Sequence, residues 1–119
     1  MIHQMKLRPI PFAKIKSGAK TIELRLNDEK RRKIKTDDII EFTNVADGEV
    51  LFARVVRLYK FASFAELYSS LPLDKCGYLP NEVKDARPED MLEYYSAAEQ
   101  AENGVVGIEI CLDCKEHAK

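Results

Sequence analysis

The feature that most constrains the fold is a short amphipathic segment at residues 21–26, which reads TIELRL. Apolar and polar residues alternate along it, and this period of two predicts a β-strand with one apolar face. A slip of one residue would turn three polar side chains into the core, so the register is well specified. The sequence therefore predicts a strand that carries Glu23 and Arg25 side by side on its polar face.

Further strands and helices are predicted on both sides of this segment. Runs rich in β-branched and aromatic residues indicate strands at 2–7, 39–43, 50–61 and 105–110. Apolar residues at helical spacing, with capping residues at the ends, indicate helices at 9–17, 63–71 and 88–103. The interpretation is an α+β fold, with a small mixed β-barrel of about five or six strands and two or three peripheral helices.

Composition limits the class of protein. The 119 residues are enough for one domain, so residues 1–119 are predicted to form a single unit. No apolar run reaches the ~20 residues of a membrane span, and the first residues do not resemble a signal peptide. Three cysteines are an odd number and do not form a disulfide framework. These features predict a cytoplasmic protein without a membrane partner.

Charge is distributed unevenly along the chain. Residues 1–60 contain 14 Lys/Arg and 8 Asp/Glu, whereas residues 61–119 contain 5 and 12. The basic first half includes a run of four cations that suits sequence-independent contacts to a phosphate backbone, at Lys30, Arg31, Arg32 and Lys33. The alternatives are a solvated charge run and halves that neutralise each other on packing.

A cysteine and histidine pattern near the C-terminus is the one candidate metal site in the sequence. Cys111, Cys114 and His117 have the spacing C-x2-C-x2-H, and Cys76 could supply a fourth ligand. The usual second close pair of ligands is missing, so we predict no metal. The sequence also lacks a glycine-rich phosphate loop, and we predict no cofactor.

The segment GAKTIELR at residues 18–25 matches the G-x-K-x-x-E-x-R motif of the ASCH family, which this chain resembles. Its flanks also fit the family, at Pro11, Phe12, Ile15, Asn27, Asp28, the strand at 38–42, the pair Tyr94 and Tyr95, and the closing GVVGI at 104–108. The resemblance implies a PUA-like β-barrel. It also implies a link to RNA, through binding it or through acting on modified nucleosides.

Lys20, Glu23 and Arg25 are the candidate site residues within this motif. The resemblance places them around a ligand pocket, with Lys20 and Glu23 as the catalytic pair if the protein is an enzyme. From the pattern alone, the favoured interpretation of Glu23 and Arg25 is a structural ion pair on a solvated face.

Some small ASCH proteins deacetylate N4-acetylcytidine, with a threonine nucleophile three residues after the motif lysine. That position is Glu23 in this chain, which argues against amidase activity by the same mechanism. The predicted function is recognition of RNA or a modified nucleoside. The alternatives are an amidohydrolase or nuclease acting on a nucleoside or RNA, and a protein-interaction module.

Overall fold

The computed structural model describes residues 1–112, which contain one five-stranded sheet and several short helices. The strands are β1 (Ile2–Leu7), β2 (Ile22–Leu26), β3 (Ile39–Asn44), β4 (Val50–Phe61) and β5 (Val105–Cys111). The α-helices are α1 (Pro9–Ser17), α2 (Glu29–Arg32), α3 (Phe64–Ser70) and α4 (Ala97–Asn103). Three 3-10 helices follow α3, at Leu73–Lys75, Pro80–Asp85 and Pro88–Glu93. The predicted α+β class is confirmed.

The sheet is mixed, and its order is β1-β3-β4-β5-β2. β1 pairs with β3 in parallel, while the other neighbours are antiparallel. β4 runs long and shifts register between Val55 and Arg57, as expected for a strand with a bulge.

The two edge strands, β1 and β2, are joined by a side chain and not by a hydrogen-bonded ladder. Arg25 on β2 donates from Nη2 to the backbone carbonyl of Lys6 on β1, at 2.9 Å. The sheet is therefore a curled half-barrel whose edges approach each other without closing. This gap between the edges positions the candidate site.

Two apolar clusters fill the interior. The first packs α1 against β1, β3, β4 and β5, with Phe12, Ile40, Phe42 and Val55 almost wholly buried. The second packs the apolar face of β2 against α3 and the 3-10 segments, and its members include Ile22, Leu24, Leu26, Phe64, Leu67, Leu73, Cys76 and Met91. The apolar side of β2 thus lies where the alternation predicted it.

Helix ends agree with several sequence signals. Gly18 ends α1 in a left-handed conformation with φ +85°, which glycine adopts without steric cost. Ser63 caps α3 by accepting a hydrogen bond from the Glu66 backbone N–H.

The helix predicted at 88–103 is wrong as one continuous element. A 3-10 helix ends before Tyr94, and Ser96 begins the separate helix α4. Ser96 accepts from the Glu99 backbone N–H while the Glu99 carboxylate accepts from the Ser96 N–H. This capping box, Ser-x-x-Glu, is the sequence signal for the break.

The described residues include no helix long and apolar enough to cross a membrane.

Candidate functional site

A groove of about 890 Å³ opens beside the gap between β1 and β2. One wall comes from the end of β1 and the start of α1, and another from β2. The 3-10 segments after α3 supply the third wall. Lys20, Glu23 and Arg25 all line this groove, so the structure brings the three motif residues together.

Glu23 lies at the centre of the motif, between the two cations. Its Oε1 is 2.6 Å from Lys20 Nζ, and its Oε2 accepts a hydrogen bond from Arg25 Nε at 2.7 Å. The Glu23 residue is only 3% exposed, which makes it one of three buried polar or charged residues in the described chain. Two short ionic contacts are what a carboxylate at this depth requires, because burial without a partner is costly.

The surroundings of Glu23 favour its ionised form. Burial alone would raise the pKa of this carboxyl, but the Lys20 ammonium and then the Arg25 guanidinium lower it below its ordinary value. The same pairing acts on Arg25, whose pKa is raised by Glu23 and Tyr95 in spite of its own burial. The motif therefore holds one anion between two cations at neutral pH.

The ion pair of Glu23 and Arg25 forms, but not on a solvated face. Arg25 is 13% exposed in its side chain and Lys20 is 11% exposed. Segments distant in sequence cover the polar side of β2, so this face is the wall of the groove and not an outer surface of the sheet.

The segment around Gly77 holds Lys20 in place. Gly77 has φ +115°, and a Cβ at this position would lie 3.4 Å from Lys20 Cδ. Lys14 reaches across from α1 and donates to the Gly77 carbonyl. A side chain at residue 77 would be strained by this backbone conformation, so glycine suits the position beside the lysine.

Four tyrosines line the groove. The Tyr78 hydroxyl donates to Asp90 Oδ2 at 2.7 Å and accepts from the Tyr68 hydroxyl at 2.8 Å. Tyr94 and Tyr95 lie in the break between the last 3-10 helix and α4, with ring centroids 6.5 Å apart. Tyr94 is 48% exposed, and Arg8 lies over its ring at 4.9 Å. The groove thus has a charged wall, formed by the motif residues, and an aromatic rim, formed by these tyrosines.

Three other aromatic residues of the chain, Tyr59, Phe61 and Phe64, take no part in this rim. Phe64 belongs to the second apolar cluster, Phe61 packs against that cluster, and Tyr59 donates its hydroxyl proton to Glu109. None of these three lines the groove. The pair Tyr94 and Tyr95 was visible only through the family resemblance.

The basic run of residues 30–33 divides into two parts. Lys30 and Arg31 line a second cavity of about 400 Å³, to which Arg25 also contributes. Arg32 donates to the Asn27 carbonyl, and neither Arg32 nor Lys33 lines either cavity. Most of the run lies in the one-turn helix α2, which Asp28 caps by accepting a hydrogen bond from the Arg31 backbone N–H.

Cys76 does not supply an activated nucleophile to the groove. Cys76 lines it, but burial raises the pKa of this thiol to about 12, so it is protonated at neutral pH. Among residues 1–112, no cluster of histidine, cysteine or acidic side chains could hold a metal ion. Two members of the cysteine and histidine pattern, Cys114 and His117, lie outside the described residues.

Comparison with solved structures shows the same fold in other proteins. The hypothetical protein PH0355 is 34% identical, with a TM-score of 0.74, over 92% of this chain and 97% of that one. Protein PF0455 from Pyrococcus furiosus is 32% identical, with a TM-score of 0.70, over 92% and 96%. The ASCH protein of Zymomonas mobilis shares the fold at 16% identity, with a TM-score of 0.60, over 92% of this chain and 66% of that one.

The sequence itself matches the ASCH domain over residues 5–112. No curated protein matches it significantly. The matched range includes the motif, all of the groove-lining residues and four complete strands. The chain belongs to the ASCH family and has its PUA-like half-barrel fold.

Proposed function

We propose that the groove binds the base of a nucleoside, either a free modified nucleoside or an unpaired residue of RNA. The observation that carries this proposal is the position of Glu23, a buried and ionised carboxylate between two cations at the wall of an open groove. A structural ion pair would not need a groove of about 890 Å³ beside it.

The charged wall of the groove suits the polar edge of a base. An ionised carboxylate offers about four acceptor positions, and Lys20 and Arg25 each approach one of its oxygens. Glu23 can therefore also accept from an exocyclic amino group, as acidic side chains do with cytosine. Lys20 beside it can donate to a ring nitrogen or carbonyl oxygen of the same base.

The aromatic rim suits the face of a base. Unpaired bases in RNA complexes stack on tyrosine rings and on arginine planes. Tyr94 is half exposed with Arg8 over its ring, and Tyr95 follows it at the same border of the groove. The family assignment supports the same class of ligand, since the resemblance to ASCH proteins implies a link to RNA.

The proposal is tested by titrating the protein calorimetrically with ribonucleosides, N4-acetylcytidine and short single-stranded RNAs at low salt. We expect at least one of these ligands to bind. Tyr94→Leu should weaken its binding at least tenfold, about 1.4 kcal/mol, because the variant removes a stacking ring. Tyr94 is about half exposed, so the fold should tolerate this change.

Tyr59→Leu is the matched control, because Tyr59 lines neither cavity. It should bind like the wild type. Absence of binding by every ligand, or equal loss in both variants, would contradict the proposed function.

A further inference from the structure

We propose that the second cavity is a phosphate subsite, so that the ligand class is a nucleotide or a phosphodiester and not a free nucleoside. This inference rests on the proposed function, because it places the phosphate next to a base that lies in the groove. It assigns separate roles to the two parts of the basic run at residues 30–33.

The second cavity has the chemistry of an anion site. Its charged residues are four cations and one carboxylate, namely Lys6, Arg25, Lys30, Arg31 and Glu41. Gln4 and Thr43 add an amide and a hydroxyl, which are neutral donors that phosphate oxygens accept from. Glu23 and Asp28 pair with Arg25 and Arg31, so the remaining positive charge comes from Lys6 and Lys30 against Glu41, and it favours a phosphate over a cationic group.

Strand pairing fixes the floor of this cavity. β1 and β3 run parallel, and their register sets Gln4 opposite Glu41 and Lys6 opposite Thr43. Along β1, Gln4 and Lys6 alternate with buried residues, so their side chains share the exposed face of the strand. The floor is therefore part of a rigid sheet and not of a loop.

The second cavity adjoins the groove through two shared residues. Lys6 and Arg25 line both. The Arg25 guanidinium has five N–H donors. Its Nε donates a hydrogen bond to Glu23, and its Nη2 donates one to the Lys6 carbonyl. Arg25 thus stands at the border between the carboxylate that faces the base and the cations of the second cavity. A base and its attached phosphate are joined through one sugar, which suits two adjoining sites.

Helix α2 supplies the remaining cations in different ways. Arg31 is held by Asp28, with Nη1 3.1 Å from Oδ2, and its side chain is only 16% exposed. Lys30 is exposed and needs no rearrangement to approach an anion. A fixed guanidinium beside a flexible ammonium combines orientation with simple charge attraction.

The test compares ligands that differ only in phosphate. For each of the four standard ribonucleosides, affinities are measured at low salt for the nucleoside, its 3′- and 5′-monophosphates and a single-stranded hexanucleotide. We expect at least one phosphorylated form to bind at least tenfold more tightly than its nucleoside. A gain with a monophosphate identifies a terminal phosphate, and a gain only with the hexanucleotide identifies a phosphodiester; both support the subsite.

Two variants test whether the second cavity is the source of this gain in affinity. Lys30→Glu reverses one charge of the second cavity, and Thr43→Glu adds a carboxylate to it without removing a cation. Both should abolish the gain from phosphate and leave nucleoside affinity within about twofold of the wild type, because neither residue lines the groove. Lys33→Glu is the charge-matched control, since Lys33 lines neither cavity, and it should retain most of the gain.

Phosphorylated ligands that bind no more tightly than nucleosides would overturn the subsite and leave the proposed function standing. Equal losses in Lys30→Glu and Lys33→Glu would also overturn it, because they would indicate general charge attraction. If neither nucleosides nor their phosphorylated forms bind, the subsite and the proposed function both fail.

Discussion

Replacing Glu23 with glutamine is expected to lower the free energy of unfolding by on the order of 3 kcal/mol, since removal of one partner leaves the others buried without compensation. The change keeps the shape of the side chain but removes the negative charge between Lys20 and Arg25. Both cations are more than four-fifths buried, so water cannot fully replace the lost carboxylate. Urea unfolding at pH 7, followed by circular dichroism, measures the effect.

Glu49→Gln is the control for this change. Glu49 also pairs with a lysine, Lys16, but both side chains are well exposed. Exposed pairs contribute little, so the control should cost about 0.5 kcal/mol or less. Similar losses in the two variants would show that the buried position of Glu23 has no special energetic role.

The loss of stability in Glu23→Gln is expected to depend on pH. The pKa of Glu23 is lower in the folded protein than in the unfolded chain, so its stabilisation is fully present above the ordinary glutamate pKa of about 4.3. It is lost as the pH falls below that value toward the folded pKa. The stability difference between wild type and Glu23→Gln should therefore be constant near pH 7 and shrink in acid.

Deacetylation of N4-acetylcytidine is expected to be undetectable in the wild-type protein. A nucleophile and a neighbouring base are needed for this reaction. Here Glu23 occupies the position of the threonine nucleophile, and its carboxylate is already engaged by two cations. Removing a proton from Lys20 would break the 2.6 Å ion pair with Glu23, so this lysine is a better anchor for an oxygen atom than a base. The nearby Cys76 is held as a thiol.

The assay for this prediction incubates the protein with N4-acetylcytidine and quantifies the cytidine released. Ordinary enzymes turn over on the order of 1 to 1,000 times per second, so a slow enzyme is readily distinguished from none. Turnover in this range that disappears in Lys20→Ala would contradict the prediction. The motif would then be catalytic, and the proposal of a binding protein would be replaced.

Local sequence signals predicted much of the fold. The alternation at residues 21–26 identified β2 and its buried face, and Gly18 and Ser63 marked helix ends that the structure confirms. Each of these signals depends on a few neighbouring residues, through the period of two or through capping. The motif then identified three residues, Lys20, Glu23 and Arg25, that line one groove.

The environment of the motif could not be predicted in the same way. Glu23 is buried because segments some 50 to 70 residues later in the chain cover the polar face of β2. Those segments include 3-10 helices without a clear hydrophobic period, and three of the four groove tyrosines, Tyr78, Tyr94 and Tyr95, lie between or just after these helices. Strand alternation alone assigns such a face to solvent, since it carries no information about distant segments.

The sequence also gives no sign that the basic run at residues 30–33 divides into two parts. Lys30 and Lys33 are both exposed lysines in one short segment, yet only Lys30 lines the second cavity. The difference arises from the direction that the single turn of α2 gives to each side chain, which Asp28 fixes by capping the helix.

We propose that the groove around Glu23 is the ligand site, and NMR titration of ¹⁵N-labelled protein tests this most directly. A single-stranded RNA hexanucleotide is added stepwise at low salt while backbone amide signals are followed. We expect the largest shifts at Lys20, Glu23, Arg25, Gly77 and Tyr95, which surround the groove. Shifts confined to residues that line neither cavity, such as those around Glu49 or Glu109, would contradict it.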